Sequence, residues 1–344
     1  MFRIFNKKVN RKPKFNEPFF LQWHITDKCN LKCKHCYRDD IKKDLEYNDM
    51  LDVLAQFKLL LKYINKKGRI QFAGGEPLLS DYLFDIVNEA NKCDIPSRIL
   101  SNGILITEEI SERILKSQIK YVQISIDGIE STHDQIRGAG SFKKSIQAAE
   151  TLRSKGIEVT FNVTVSKLNI SELEQIAEIA SQYANRLGYH RLVPYGAGKS
   201  LEDQLIPPDL VREYFDLINN KIKPGYDDLE VVLRDPLWKP YFAPEAQCPF
   251  IGGCSVAYNG ICVESNGDVY PCRRMPVVIG NLTKESLIDI WESKIMRELR
   301  NRDKLKGNCK KCNLKWLCGG CRAIAYAVTN DYLQEDIQCF KYVK

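Results

Sequence analysis

The chain has 344 residues, 44% of them hydrophobic, enough for one large core or for a large and a small domain. No apolar run approaches the ~18 residues that a membrane-spanning helix needs, which excludes a helical membrane protein. The formal charge of +7 counts every thiol as neutral, and the chain holds 13 cysteines, so a basic surface for nucleic acid is not implied.

The first residues, "MFRIFNKKVNRKPK", are basic but lack a long apolar core and a small-residue cleavage site. No signal peptide is read there, and a cytoplasmic setting is expected. Residues 1–18 are read as a solvated basic arm. β-rich runs follow at 19–26, 69–73, 97–101, 121–126, 159–165 and 191–194. Amphipathic stretches alternate with them at 48–64, 107–116, 141–155, 171–183 and 208–220. Six strand–helix units, repeating about every 30 residues, predict βαβ repeats and a parallel sheet. They are too few for the eight-fold barrel and fit an α/β fold with an open, partial (β/α)6 TIM-like barrel over residues 19–233. Unusual polar motifs follow the first four strands: cysteines, "GGEP", "SNG" and "SIDG". In parallel α/β folds these strand ends converge on one mouth.

Composition shifts near Arg234. "RDPLWKPYFAPEAQ" has three prolines and no regular period, so 234–247 reads as a linker. Residues 248–344 form a small cysteine-rich domain with nine of the 13 cysteines. "ICVESNGDVYPC" carries a hairpin signal with Asn266-Gly267 at the turn, and a helix is expected over about 284–300. The odd cysteine count, the close spacings and the lack of an export signal point to metal binding before disulfides.

In "CNLKCKHC", Cys29, Cys33 and Cys36 are separated by three and two residues. Three thiolates leave one position of a metal centre open. Zinc would fill it with water, and an iron–sulfur cluster would expose one iron there. Spacing alone does not separate the two.

"CNLKCKHCY", the following "GGEP" and the strand repeats together resemble the radical S-adenosylmethionine (SAM) superfamily. The resemblance implies that Cys29, Cys33 and Cys36 hold a 4Fe–4S cluster whose open iron takes the amino and carboxylate groups of SAM. It implies further SAM contacts. The backbone of His35 is expected near the adenine, and Gly74, Gly75, Glu76 and Pro77 near the methionine ammonium. Ser125, Asp127 and Arg137 of "QISIDGIESTHDQIRG" are expected at ribose and carboxylate. Glycines let backbone approach closely, and a carboxylate accepts from an ammonium.

The later cysteines resemble the SPASM domain, an extension that carries auxiliary clusters in many radical SAM enzymes. Carried over by position, Cys248, Cys254, Cys272 and Cys321 hold one auxiliary 4Fe–4S cluster, and Cys309, Cys312, Cys318 and Cys339 hold a second. Only Gly319 and Gly320 separate Cys318 from Cys321, where the family often has three residues; the glycines permit the tighter turn. Cys93 and Cys262 are left over. Cys262 reads as a buried small hydrophobe, with the alternative that it replaces Cys248 as a ligand. Eleven thiolates and three clusters of roughly +2 each would bring the charge to about +2.

The resemblance covers about residues 19–341 and implies an enzyme that reductively cleaves SAM to a 5′-deoxyadenosyl radical. The radical abstracts hydrogen from a peptide or protein substrate in an oxidative modification, or from a small molecule such as a tetrapyrrole side chain. Reduced flavodoxin or ferredoxin is the implied electron donor. Sulfatase maturation is not expected: its acidic base after the cysteine matching Cys272 is replaced here by Arg273, followed by Arg274.

Overall fold

A computed structural model describes residues 17–38, 41–242 and 253–342. Six parallel strands follow one another in chain order: β1 (Phe19–Thr26), β2 (Gly68–Gly74), β3 (Ser97–Ser101), β4 (Tyr121–Ser125), β5 (Glu158–Val165) and β6 (Arg186–Arg191). Helices α1 (Tyr47–Tyr63), α2 (Leu83–Lys92), α3 (Glu108–Lys116), α4 (Glu130–Arg137), α5 (Ser141–Ser154), α6 (Leu173–Tyr183) and α7 (Pro208–Leu217) fill the connections or follow the last strand.

Burial in β3, β4 and β5 alternates with period two, and the alternation sorts chemistry. In β5, Val159, Phe161, Val163 and Val165 are fully buried on the helix-covered face. Their neighbours Thr160, Asn162 and Thr164 line cavities on the inner face. β4 repeats this, with Val122 and Ile124 buried and Gln123 and Ser125 facing a cavity. α1 shows the complementary helical period: Met50, Val53, Leu54, Phe57, Leu60 and Leu61 are its buried stripe, and Phe57 meets Phe19 of β1 at 6.3 Å between ring centroids.

Two expectations shift. The sixth strand is 186–191, not 191–194, because it pairs with β5 from Thr160↔Arg186 to Val165↔Arg191. The apolar Leu192 and Val193 are instead buried beyond the strand's end, where they line the mouth. The helix expected over 284–300 is two helices, Leu287–Trp291 and Lys294–Arg300. Ser293 breaks it by accepting a hydrogen bond from the Met296 amide as a new N-cap.

The sheet does not end with six strands. β7 (Glu230–Val232) adds to β6, and β8 (Gly260–Val263) adds in parallel to β1 on the opposite edge. β9 (Asp268–Tyr270) returns antiparallel to β8 as the expected hairpin, with Gly267 at φ +85°, and β10 (Gly280–Asn281) extends the same sheet. The cysteine-rich region is thus continuous with the barrel sheet. The described part of the expected linker is packed as well. Trp238 stacks on Phe215 of α7 at 3.8 Å, and Asp235 pairs with Arg191 at 2.8 Å. Residues 1–16 of the arm, 243–247 of the linker, and Cys248 lie outside the described residues.

Candidate active site

The ends of β1 to β5 and the segment after β6 meet around a cavity of about 450 Å³, with Cys29, Cys33 and Cys36 in its wall. The cysteine loop is tied to three other elements. Lys34 N donates to Ile136 O (2.9 Å), Gly198 N to Cys36 O (3.0 Å), and Gly75 N and Glu76 N to Thr26 O and Lys28 O (2.9 and 2.8 Å). The last pair explains the glycines. A Cβ on Gly74 would stand 2.2 Å from Thr26 O, and one on Gly75 2.2 Å from Lys28 O. Only bare backbone lets β2 end against the cysteine loop.

Ser125, Arg137, His35, Gly74 and Gly75 line this cavity. Glu76, Pro77 and Asp127 do not. Glu76 is fully buried and accepts from Ser101 Oγ (2.9 Å), Asn102 N (2.8 Å) and Leu78 N (3.3 Å), so its carboxyl fastens β2 to β3. Burial outweighs these bonds and pushes its pKa up to about 7. Pro77 starts the short 3-10 turn Pro77–Leu79.

Asp127 is the hub beneath the wall. It is fully buried and takes His35 Nε2 at 2.7 Å, Arg137 Nε at 2.5 Å and Thr164 N at 2.7 Å. Burial opposes its ionisation, but Arg137 and His35 prevail and hold the carboxyl well below its usual range. It therefore orients two cavity-lining side chains. Arg137 Nη1 in turn lies 3.9 Å from Cys33 Sγ. Burial raises the Cys33 thiol to about 11, and Arg137 works against that rise. A metal centre must displace these protons, and a fixed guanidinium favours the resulting thiolate.

The later cysteines form two groups. Cys309, Cys312, Cys318 and Cys339 line one cavity of about 250 Å³. Amides of Leu314 and Gly320 point at Cys312 and Cys318 sulfurs (3.4 and 3.3 Å), and Arg322 and Lys341 approach Cys309 and Cys312 (3.9 and 3.8 Å). Four thiols with surrounding N–H donors fit a fully ligated iron–sulfur cluster. Gly319 and Gly320 adopt φ +72° and +61°, the tight turn the short spacing requires.

Cys254 and Cys321 are buried, and Cys272 is half-buried. Burial drives the Cys321 thiol up to about 12, against the nearby Arg274, with Cys254 also close; Arg274 interacts with Cys272 too. These three could share a centre completed by a fourth ligand. Cys262 is fully buried, but its surroundings are polar. Its thiol donates to Glu264 Oε1 at 3.5 Å, and that oxygen lies 2.8 Å from His24 Nδ1.

A second cavity of about 310 Å³ occupies the barrel lumen and shares Leu100, Gln123, Asn162, His190, Arg273 and Arg274 with the first. Burial, followed by Arg274 and Arg273, holds the His190 imidazole well below its usual pKa. Motif reading misses this lumen. Its only sequence signal is the polar half of each strand's alternation.

Residues 23–180 match the family model of the radical SAM superfamily, and residues 254–313 match that of an iron–sulfur cluster-binding domain, SPASM. An AdoMet-dependent heme synthase of Methanosarcina barkeri is 31% identical, over 94% of this chain and 97% of its own. The mycofactocin maturase MftC of Mycobacterium tuberculosis is 29% identical over 90% and 79%. The crystal structure of Streptococcus suis SuiB bound to S-adenosylmethionine superposes with a TM-score of 0.74 at 18% identity, over 94% and 77%.

Proposed function

The chain belongs to the radical SAM superfamily and carries a C-terminal SPASM domain, and from that premise we propose that it cleaves SAM reductively to oxidise a substrate held in the barrel lumen. One observation carries this: the three closely spaced thiols, the backbone of Gly74 and Gly75, Ser125 and Arg137 border a single cavity that opens onto the lumen. Cys29, Cys33 and Cys36 hold a 4Fe–4S cluster. When bound, that cluster supplies the electron that breaks SAM into methionine and a hydrogen-abstracting 5′-deoxyadenosyl radical.

The chain's own residues do the rest. Arg137, fixed by Asp127, favours the thiolates and offers a guanidinium to the SAM carboxylate. The Gly74–Gly75 backbone admits the methionine end, and Ser125 the ribose. Cys254, Cys272 and Cys321 with Cys248, and Cys309, Cys312, Cys318 and Cys339, would hold two auxiliary iron–sulfur clusters, which would supply acceptors for an electron released on oxidation. Reduced flavodoxin or ferredoxin supplies the first electron, in the cytoplasm.

The substrate reading is modification of a peptide or protein, supported by SuiB of Streptococcus suis, of the same fold, which was crystallised bound to its precursor peptide SuiA. A second reading, a small molecule such as a tetrapyrrole side chain, is favoured by the similarity to heme synthases.

The test is anaerobic reconstitution of the wild type and of the triple variant C29A/C33A/C36A. The wild type should bind about twelve irons and release 5′-deoxyadenosine with dithionite; the variant should retain about eight irons and release none. Saturation near four irons, or 5′-deoxyadenosine from the variant, contradicts the assignment.

A further inference from the structure

The lumen carries more positive charge than SAM cleavage uses. Arg98, Arg186, Arg234, Arg273 and Arg274 line it, against one acidic side chain, Glu230. Some of this charge is answered. Arg186 pairs with Glu158 (3.2 Å) and Glu230 (2.6 Å), and Arg234 with Glu17 (3.5 Å). Arg274 donates to Arg191 O at 3.1 Å and faces the Cys321 and Cys272 thiols.

Arg98 and Arg273 differ. Arg98 lies over the Tyr121 ring, 4.6 Å from its centroid, and Arg273 donates to Gln22 Oε1 at 3.4 Å. Neither forms an ion pair among the described residues. Arg98 shares the Glu17 carboxylate at longer range with Arg69 and Arg234, and Arg273 has Gln22 as its hydrogen-bond partner, so both half-buried guanidiniums gain from a ligand that brings a counter-charge. Gln22, Gln71 and Asn162 add neutral donors to the same wall.

Position gives these groups a use. Arg273 and His190 border both the lumen and the cysteine-lined cavity, so a group bound there sits between the two. Arg186, at the deep end, is four residues before His190 on the same strand, ~13 Å of extended chain. The lumen of about 310 Å³ shares lining residues with the cysteine-lined cavity of about 450 Å³, so an arm of a molecule bound in that cavity can reach into it.

We infer that the lumen is a carboxylate receptor, which draws in a carboxylate-bearing arm of the substrate and holds it on Arg273, with Arg98 as the deeper cationic contact. This rests on the radical SAM reading of the cavity above it. It deepens that reading by making the negative charge of the reacting arm a condition of entry. The chemistry is shared by two sources, the terminal or side-chain carboxylate of a peptide and the propionate-type arm of a tetrapyrrole.

The experiment titrates the reconstituted, SAM-loaded enzyme with two matched pairs, by absorbance and calorimetry. One pair is a porphyrin tetracarboxylate and its tetramethyl ester. The other is a short acidic peptide and the same peptide with Gln for Glu and a C-terminal amide. At least one acid should bind tenfold or more tighter than its neutral partner, and the pair that shows this identifies the source. Arg273→Gln should erase the preference while leaving the neutral partner's affinity unchanged, and Arg273→Lys should restore part of it. Arg98→Gln makes the same comparison if the first variant fails to assemble its clusters. Equal binding of acid and neutral forms, no binding of either acid, or an equal loss for both forms in Arg273→Gln each overturns the receptor. Release of 5′-deoxyadenosine by the unaltered enzyme is measured separately; its absence beside an intact acid preference would overturn the proposed function and leave the receptor standing.

Discussion

Glu76 of "GGEP" is held by the fold itself, its carboxyl accepting from Ser101, Asn102 and Leu78. Its pKa rises to about 7 through burial, whereas the unfolded chain titrates near its usual ~4.3. The folded state therefore holds the proton more tightly. This contribution to stability is complete below about pH 4 and is lost as pH rises to about 7, by about 4 kcal/mol. E76Q should lack that part of the pH dependence. Urea unfolding of wild type and variant between pH 4.5 and 7.5 checks this; parallel slopes would contradict it. Arg137 and Ser125 were legible because they sit in a recognisable stretch. Arg98, His190 and Asn162 were not, since a lone polar residue inside a strand looks the same whether it faces solvent or a lumen.

Elements were legible where an apolar run or a single period was sharply bounded. β1 and β3 have the predicted limits because buried and half-buried positions are bounded by turns. β6 was displaced because "RLGYHR" carries few apolar residues, and its place is set by its pairing with β5 rather than by its own composition. The split at Ser293 was hidden by an unbroken apolar period on both sides of it. Its hydroxyl accepts from the Met296 amide at 3.4 Å and starts the helix Lys294–Arg300. S293A should destabilise the protein by about 1 kcal/mol, seen as a lower denaturation midpoint at unchanged m-value. No change in midpoint would mean that the cap contributes nothing.

At the scale of the whole molecule, the cysteine pattern and the strand repeat foretold both parts of the chain but not how they join. A change of composition near Arg234 looked like a boundary between independent units. Instead β8 pairs in parallel with β1, from Phe20↔Gly260 to Trp23↔Val263. This pairing of the chain's first and last thirds bears on its synthesis. Strand β1 leaves the ribosome early, and the strand that covers its outer edge follows about 240 residues later. At 5–20 residues per second the edge stays open for roughly 12 to 50 seconds, a ready template for pairing with another chain. A chain ended at residue 259 would keep that edge open permanently. It should collect in the insoluble fraction and scatter light on refolding, even though it retains all six barrel strands. A soluble, monomeric product of that length would show that β1 guards its own edge. For the intact chain, every second by which translation slows before residue 264 lengthens the exposure, so growth conditions and codon choice in that stretch bear on its yield as directly as iron supply.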